Sequence, residues 1–419
     1  MTTVARSESL FLSTLPGRYY YDSAIYELEQ EKIFSNMWVC AGRAGSIPAK
    51  PGAYQVVTIG KESVIVVRNR DGALHAFLNV CRHRGARLCS EVAGQLKGSI
   101  QCRYHAWTYG LDGRLIGAPN VMSDVQFDRS AFGLLPVALD TWEGFIWLNL
   151  SDNPEPTDAQ LSDQIIRRFG SYKPFARYGV GELKIGKTIT YDVQANWKLL
   201  IENFMECYHC APMHAELCDL LPGFRSGKTY GNGDAATYAE NAEAFTISGK
   251  ASRPPLKGLH SEDLRRYYGE VLLPNILLNL LDDHVVVHTV WPQGPDRSRV
   301  VCDWLFDPEV MSWPNFDPMD AVELFDIVNK QDWEVCEMAQ QGVTSRAFKA
   351  GGVYVPSEWH IREFADFILE KLNARSATHG LAEPGWRGVG RAATPVGSVE
   401  QPESANAAPH PRCSLPAPG

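Results

Sequence analysis

The sequence predicts an α+β fold in which a small all-β domain precedes a larger domain of helices and antiparallel strands. In the first third of the chain, short runs with strand-like alternation are separated by turns such as Asp71-Gly72 and Asp112-Gly113. Farther along, segments with helical periodicity flank three consecutive strand-like runs. The chain therefore divides into an N-terminal segment packing on the larger domain (1–37), the all-β domain (38–155), the helix-and-sheet domain (156–375) and a tail (376–419).

Composition excludes several classes of function. A chain of 419 residues with 45% hydrophobic residues can bury large cores and form two or three domains. The formal net charge of −9 gives a nucleic-acid partner no electrostatic support, and no charge run predicts a membrane-surface patch. The N-terminus lacks a long apolar stretch, and the most apolar run, residues 271–281, is too short to span a bilayer. We therefore expect a cytoplasmic protein.

The first elements follow from local pattern. Asp22 is a candidate N-cap, and apolar residues recur at helical spacing at Ile25, Leu28 and Ile33, which predicts a helix over 22–37. The runs that predict strands in the all-β domain are 53–59, 63–69, 73–79, 99–109 and 144–150.

The second half of the chain predicts helices around an antiparallel sheet. His284 and His288 fall in a strand-like run, where we interpret them as core or pocket residues. The tail is rich in Pro, Gly, Ala and Ser, which predicts disorder. No strand–GxGxxG–helix unit indicates a nicotinamide or flavin site. The predicted elements are a linker and helix in 154–178, strands at 181–194, 270–281, 284–294 and 298–308, and helices at 318–341 and 357–375.

Two loops of the all-β domain each contain one cysteine and one histidine. Cys81 and His83 form Cys-x-His, and after eighteen intervening residues Cys102 and His105 form Cys-x-x-His. A Cys2His2 set can hold structural zinc, but a zinc finger groups its cysteines and its histidines separately. Mixed loops among strands favour a Rieske [2Fe–2S] cluster, in which one iron takes both cysteines and the other both histidines.

Cys89 lies just after the first of these loops. High-potential Rieske proteins pair an extra cysteine here with one in the second loop, where this chain has Arg103 and Tyr104. The partner is therefore missing. We expect Cys89 to be a free thiol and the cluster to lie at the low end of the Rieske range, at about −150 mV.

A second candidate metal site lies in the stretch NWKLLIENFMECYHCAPMH. Glu206 and His209 are i,i+3 and would share one face of a helix, whereas His214 would not. Pro212 can break the helix and allow His214 to turn back toward His209. Two imidazoles beside a carboxylate suit a divalent metal such as iron. The alternative is a core helix with two satisfied histidines.

The two motifs in this order resemble the catalytic α subunit of Rieske non-heme iron oxygenases. The resemblance implies a Rieske domain joined to a catalytic domain with a curved antiparallel sheet of helix-grip type. It also implies a mononuclear Fe(II) held by His209, His214 and a carboxylate on a distant helix. The Gln331-Asp332 pair matches that helix, so Asp332 is the expected third ligand, with Glu334 and Glu337 as weaker candidates.

The resemblance assigns further roles. Glu206 would bridge the iron histidine to the Rieske centre of a neighbouring subunit in a head-to-tail homotrimer, and a separate flavin and iron–sulfur reductase using NAD(P)H would supply electrons. Asn203 would lie beside the iron, and Trp107 would shield the cluster. Ala106 replaces a common glycine, which we expect to be harmless.

Glutamate at position 206, where most members have aspartate, resembles the branch acting on carnitine, glycine betaine and stachydrine. This implies O₂-dependent N-demethylation of a small methylated ammonium compound. The alternatives are an aromatic-acid hydroxylase of the same family and an electron carrier with a degenerate second site. Tyr208 is a candidate for the pocket or the core, and a redox dithiol of Cys207 and Cys210 is not expected. The rings that could form an ammonium cage are Tyr230, Tyr238, Phe245, Tyr354 and Trp359.

Overall fold

The fold is that of a computed structural model, which describes residues 12–121, 127–228, 230 and 233–372. A short strand β1 (Leu12–Ser13) precedes helix α1 (Ser23–Glu29), which continues as a π-helical turn to Phe34. The Asp22 carboxylate accepts a hydrogen bond from the backbone N–H of Ala24 at 2.8 Å, as expected of an N-cap. The predicted helix is therefore present but three residues shorter at its C-terminal end.

The all-β domain consists of three small antiparallel sheets, with strand orders β10-β11-β2, β5-β4-β3-β6 and β7-β8-β9. Its strands are β2 (Val39–Arg43), β3 (Ala53–Ile59), β4 (Glu62–Arg68), β5 (Leu74–Leu78), β6 (Ala93–Gln95), β7 (Ser99–Gln101), β8 (Thr108–Gly110), β9 (Leu115–Gly117), β10 (Ala138–Trp142) and β11 (Phe145–Asn149). The run predicted as one strand at 99–109 forms β7 and β8. Cys102 and His105 lie in the loop between these two strands. The backbone of this loop is not paired in the sheet, so it can turn and present both side chains to a cluster.

The larger domain is organised around a six-stranded antiparallel sheet of order β12-β17-β16-β15-β14-β13. The run predicted as one strand at 270–281 divides at Leu273-Pro274 into two strands of one hairpin. The elements are α2 (Thr157–Phe169), α3 (Lys173–Ala176), β12 (Lys184–Val193), α4 (Trp197–Phe204), α5 (Cys210–Met213), α6 (Ala215–Leu220), β13 (Ala236–Thr237), β14 (Arg266–Leu272), β15 (Ile276–Leu280), β16 (Val285–Gly294), β17 (Arg297–Phe306), α7 (Pro308–Met311), α8 (Met319–Val343), β18 (Val353–Tyr354) and α9 (Trp359–Lys371).

Helices cover both faces of this sheet. Val285 and Val287 belong to a core shared with α2, whereas Val286 belongs to a core shared with α8, as strand alternation requires. These layers confirm the predicted α+β class. Among the described residues, no helix is both long and apolar enough to cross a bilayer.

Helix α4 is fixed from two sides. Its first turn carries Lys198, whose Nζ lies 2.6 Å from Glu29 of α1, and both side chains are fully buried. The backbone N–H of Asn196 donates to Gln340 of α8 at 2.8 Å, and the Gln340 amide donates to the backbone of Tyr20. These contacts join the N-terminal segment, α4 and α8 to one another. They thereby fix the position of the residues that follow α4.

Three predictions concern the ends of the chain. The final helix, predicted at 357–375, is observed from Trp359 to Lys371. The disordered tail predicted at 376–419 and the first 11 residues lie outside the described residues. The boundaries proposed for the four segments remain predictions.

Candidate active site

The two cysteine–histidine loops have the same backbone geometry. In the first, the N–H of Gly85 donates to the carbonyl of Cys81 at 3.0 Å; in the second, the N–H of Ala106 donates to the carbonyl of Cys102 at 3.0 Å. Both cysteines are buried, 3% and 2% exposed. The loops are therefore matching turns, and both thiols belong to one buried cluster of side chains.

The imidazoles lie on the outer side of these loops. The rings of His83 and His105 have centroids 4.6 Å apart, and both are at least partly exposed. The indole of Trp107 stacks on His83 at 4.9 Å and 10°, and it is itself buried. Two buried thiols and two accessible imidazoles fit a Rieske cluster with its histidine-ligated iron toward the surface. Cys89 is a free thiol, and burial raises its pKa to about 11.

Ala106 occupies a backbone conformation that favours glycine. Its φ is +57°, close to the +73° of Gly85 at the equivalent position of the other loop. A left-handed conformation costs an L-residue about 1–2 kcal/mol. Alanine in the second turn therefore carries a backbone strain that glycine would relieve, and the expectation that the replacement is harmless remains a prediction.

We expect Ala106→Gly to raise the free energy of unfolding by about 0.5–1 kcal/mol, since relief of the left-handed strain exceeds the added freedom of the unfolded chain. The measurement is denaturation of the cluster-loaded protein followed by visible absorption. Ala86→Gly is the matched control, because φ at Ala86 is negative, and we expect it to lower stability. Equal destabilisation by both changes would contradict the strain at Ala106.

The local structure around Glu206 differs from the predicted helix. Helix α4 ends at Phe204, so Glu206 and His209 meet across a turn rather than along one helix face. Pro212 lies inside the short helix α5, and the chain turns instead at His214, whose φ and ψ are −119° and 71°. Both histidines flank α5, which brings their rings to 5.1 Å at 82°.

Three side-chain atoms converge at one point. The Oδ1 atom of Asp332 lies 3.2 Å from Nε2 of His209 and 3.0 Å from Nε2 of His214. The Nδ2 atom of Asn203 is 3.4 Å from Nε2 of His209. The structure thus brings together residues separated by more than a hundred positions in the sequence. Two imidazole nitrogens and one carboxylate form the facial donor set that suits non-heme iron.

Neighbouring groups orient both imidazoles. Nδ1 of His209 is 2.5 Å from Oε1 of Glu206, and Nδ1 of His214 is 2.7 Å from the amide oxygen of Gln331. Acceptors at Nδ1 hold the proton there and leave each Nε2 free for a metal. Burial lowers the pKa of His209, but its hydrogen bonds to Asp332 and Glu206 outweigh burial and raise the pKa to about 10. Without a metal the His209 ring therefore carries a second proton, on the Nε2 atom that faces Asp332, and a metal ion would take the place of that proton.

The other candidate ligands lie elsewhere. Glu334 is exposed, and Glu337 accepts a hydrogen bond from the backbone of Gln194 at 2.9 Å. Cys210 lies close to both histidines, but a disulfide joins it to Cys207. The sequence did not predict this bond. Asp332 is the donor that completes the set, because its Oδ1 lies within 3.2 Å of Nε2 of both histidines.

A cavity of about 1020 Å³ opens onto these three groups. The expected rings of Tyr230, Phe245 and Trp359 line it, but Tyr238 and Tyr354 are not among its lining residues. The Tyr238 hydroxyl is turned to Asp282. Six further lining rings were not among the expected cage residues, namely Phe204, Phe224, Tyr267, Phe325, Phe364 and Phe367. Tyr208, a candidate for either the pocket or the core, is 59% exposed and occupies neither.

One wall of the cavity is a hydrogen-bonded polar row. The Tyr267 hydroxyl donates to Asn279 at 2.7 Å, and Nε2 of His288 lies 2.9 Å from the amide oxygen of Asn329. Burial lowers the pKa of His288 to about 4, so its ring is neutral. His284 instead lies in the core beside Asp283, at 2.6 Å. The polar side chains of this wall therefore form hydrogen bonds with one another, and the wall adds no charge to the cavity. Strand alternation places Tyr267 toward the cavity, but sequence alone did not reveal the row.

Comparison with known families identifies both domains. Residues 37–134 match the family described as Rieske [2Fe-2S] domain, and residues 180–374 match the catalytic domain described as ring hydroxylating alpha subunit. A glycine betaine monooxygenase oxygenase subunit of Chromohalobacter salexigens is 33% identical over 399 residues, with 86% of each chain covered. The chain belongs to the Rieske oxygenases, as a catalytic α subunit.

Other relatives of this Rieske oxygenase agree. The carnitine monooxygenase oxygenase subunit of Escherichia coli K12 is 30% identical over 81% of this chain and 86% of that protein. The crystal structure of the quaternary ammonium Rieske monooxygenase CntA with gamma-butyrobetaine is 25% identical, has a TM-score of 0.67, and is matched over 86% of this chain and 96% of that one. Naphthalene 1,2-dioxygenase from Rhodococcus, 19% identical with a TM-score of 0.67 over 87% and 95% of the two chains, shares the fold.

These findings confirm the predicted class of enzyme and its cofactors. The oxygenase is an O₂-dependent oxidoreductase with a Rieske [2Fe–2S] cluster and a mononuclear iron, and its family uses a separate reductase. The assignment of individual residues to these metals remains a prediction.

Proposed function

We propose that this oxygenase N-demethylates a small quaternary or methylated ammonium compound such as glycine betaine. The observation that carries the proposal is the convergence of His209, His214 and Asp332 at the head of a cavity walled by aromatic rings. The substrates named for the relatives, glycine betaine and carnitine, share a trimethylammonium group. The same chemistry suits this cavity.

Each group near the convergence point has a distinct role in the proposal. Nε2 of His209, Nε2 of His214 and Oδ1 of Asp332 hold the iron, which supplies the binding and reduction of O₂. Glu206 and Gln331 keep the imidazole protons on Nδ1. The Asn203 amide, 3.4 Å from Nε2 of His209, borders the space in which the reaction takes place. In the other domain, Cys81, His83, Cys102 and His105 hold the cluster.

Contiguous rings supply the surface for a methylated ammonium group. Phe245 stacks on Tyr267 at 5.7 Å and 17°, and it meets Phe325 at 4.7 Å. Phe224 meets Tyr267 at 5.8 Å and 90°. A quaternary ammonium ion cannot donate hydrogen bonds, so cation–π attraction and apolar contact are the interactions that can hold it. The rings would direct a methyl carbon toward the iron ligands.

The proposed reaction balances as a monooxygenation. One oxygen atom of O₂ enters a methyl C–H bond to give N–CH₂OH, and the other leaves as water with two electrons and two protons. The C–N bond of the hydroxymethyl group then breaks. Formaldehyde, a proton and the amine with one methyl group fewer are released.

The exposure of the Rieske histidines and the position of Glu206 suggest that electrons pass between subunits of a trimer. His83 and His105 are accessible on the all-β domain, while the Glu206 side chain is 11% exposed beside the exposed Tyr208. The hydrogen bonds of the Glu206 carboxylate within the described residues go to Tyr208 and His209 of its own chain. We therefore propose a head-to-tail homotrimer in which Glu206 also accepts a hydrogen bond from a neighbour's Rieske histidine. A reductase with flavin and an iron–sulfur centre would load the cluster from NAD(P)H, and a cytoplasmic location remains a prediction.

Formaldehyde formation tests the reaction. With a competent reductase, we expect O₂ uptake that depends on glycine betaine or carnitine and releases about one formaldehyde per O₂ consumed in coupled turnover. Benzoate is the matched aromatic-acid probe. A hydroxylated ring without formaldehyde would instead establish the aromatic-acid hydroxylase, and a protein with only the two irons of the cluster would indicate an electron carrier.

A further inference from the structure

Arg168, at the C-terminal end of α2, is a buried cation at the cavity wall. It lines the cavity, and its side chain is only 10% exposed. Nε donates to the carbonyl of Gly269 at 3.4 Å, and Nη2 donates to the carbonyl of Asp234 at 2.8 Å. Nη1 is buried without a hydrogen-bond partner among the described residues. A buried guanidinium with an unused donor is a ready site for an anion.

The nearest acid leaves this cation available. Glu270 lies 3.4 Å from Nε of Arg168 and is 8% exposed. Burial raises the pKa of Glu270 to about 8, although Arg168 opposes the rise. Burial thus works against the negative charge of Glu270, whereas arginine stays charged. Glu270 also meets only Nε of Arg168, which leaves the Nη1 side of the guanidinium unpaired among the described residues.

Tyr267 and this cation both adjoin Gly269, and both line the cavity. Burial raises the pKa of the Tyr267 hydroxyl, Asp332 raises it further, and Arg168 lowers it, so both charges act on one hydroxyl. Gly269 keeps the space beside it open. A Cβ at this position would lie 3.2 Å from the Tyr267 hydroxyl and 3.6 Å from the ring of Phe204.

We propose that Arg168 binds the carboxylate of a zwitterionic substrate whose methylated ammonium group rests on the ring of Tyr267. The assignment depends on the proposed function and adds the second recognition point that a betaine requires. It makes the enzyme selective for methylated ammonium acids over alcohols of similar size. The substrate then lies with its cation toward Asp332 and its anion toward Arg168.

Three other cationic side chains line the cavity, and all three are exposed: Arg167, Lys228 and Lys371. Of these, Lys228 is the competing cation that lies against a cavity ring, with its Nζ 4.9 Å from the ring centroid of Tyr230. A solvated ammonium gains less from a carboxylate than a buried guanidinium does, because water already satisfies it. Arg168 is therefore the favoured anchor.

The test compares glycine betaine with choline, which has a hydroxyl in place of the carboxylate. Both are measured with the reductase-coupled holoenzyme and by calorimetric binding. For Arg168→Gln we expect KM and Kd for glycine betaine to rise about 10- to 100-fold, the scale for losing a charged hydrogen bond. We expect KM and Kd for choline to change less than about threefold. Arg168→Lys should recover part of the loss.

Two further variants make the result decisive. Arg297→Gln removes a surface arginine that is 51% exposed and should change neither substrate's KM. Lys228→Gln tests the competing cation. Equal losses for both substrates in Arg168→Gln, or a carboxylate-selective loss in Lys228→Gln instead, would overturn the assignment. A wild-type enzyme that demethylates neither compound would refute the proposed function itself, which is a separate outcome.

Discussion

Replacing Asp332 with alanine removes the mononuclear iron and leaves the Rieske cluster in place. The Oδ1 atom of Asp332 is the only anionic oxygen shown within 3.2 Å of both imidazole Nε2 atoms in the described residues. Two neutral imidazoles alone bind iron weakly. Iron should fall from about three to about two atoms per chain, and demethylation should fall by about three orders of magnitude or more. The rhombic magnetic-resonance signal of the reduced cluster should persist.

Glu334→Ala provides the matched control on the same helix. Its side chain is exposed two residues farther along α8, so we expect full iron content and full turnover. Metal analysis and the magnetic-resonance spectrum are measured on both variants. Retention of the third iron by Asp332→Ala would show that another group supplies the carboxylate ligand.

Replacing Glu206 with glutamine retains both metals but slows electron transfer between them. Oε1 of Glu206 accepts from Nδ1 of His209, and Oε2 accepts from the backbone N–H groups of Tyr208 and His209. An amide offers only one acceptor oxygen for these two sets of donors, and it carries no charge. Mutations of such supporting groups cost about 10- to 100-fold in activity, and we expect a loss of that size in turnover.

The measurement is a single turnover of pre-reduced enzyme mixed with substrate and O₂. Oxidation of the cluster, followed by its visible absorption, should slow in Glu206→Gln while iron content stays unchanged. Glu206→Asp retains the carboxylate and should lie between the two. Wild-type cluster oxidation in Glu206→Gln would remove Glu206 from the electron path, and loss of iron would give it a role in metal binding instead.

The residue types and spacing of both metal motifs can be recognised in the amino-acid sequence. Thiols and imidazoles at fixed spacing limit the groups that can bind, so Cys81, His83, Cys102 and His105 could be selected as a set. Strand positions were also predictable, because alternation depends on nearest neighbours: the run 53–59 coincides with β3. Local rules failed around Glu206, where the chain leaves the helix two residues earlier.

Ring directions were less predictable than ring positions. Tyr238 and Phe245 lie seven residues apart in one loop-rich region, yet Phe245 lines the cavity, whereas the Tyr238 hydroxyl bonds to Asp282. Tyr208 is adjacent to a proposed iron ligand but points outward. The direction of each side chain depends on the residues that pack against it from distant parts of the chain. The local sequence does not show which residues those are.

The sequence by itself determined which chemistries were present: a cysteine–histidine pair of loops, two neighbouring histidines and a carboxylate on a later helix. Only the tertiary structure decided that Asp332 meets His209 and His214, and that Arg168 reaches the same cavity from α2. The physical reason is range. Ligand type and spacing are local properties of the sequence. The convergence of the three ligand side chains instead requires the sheet, α4 and α8 to pack against one another in a fixed arrangement.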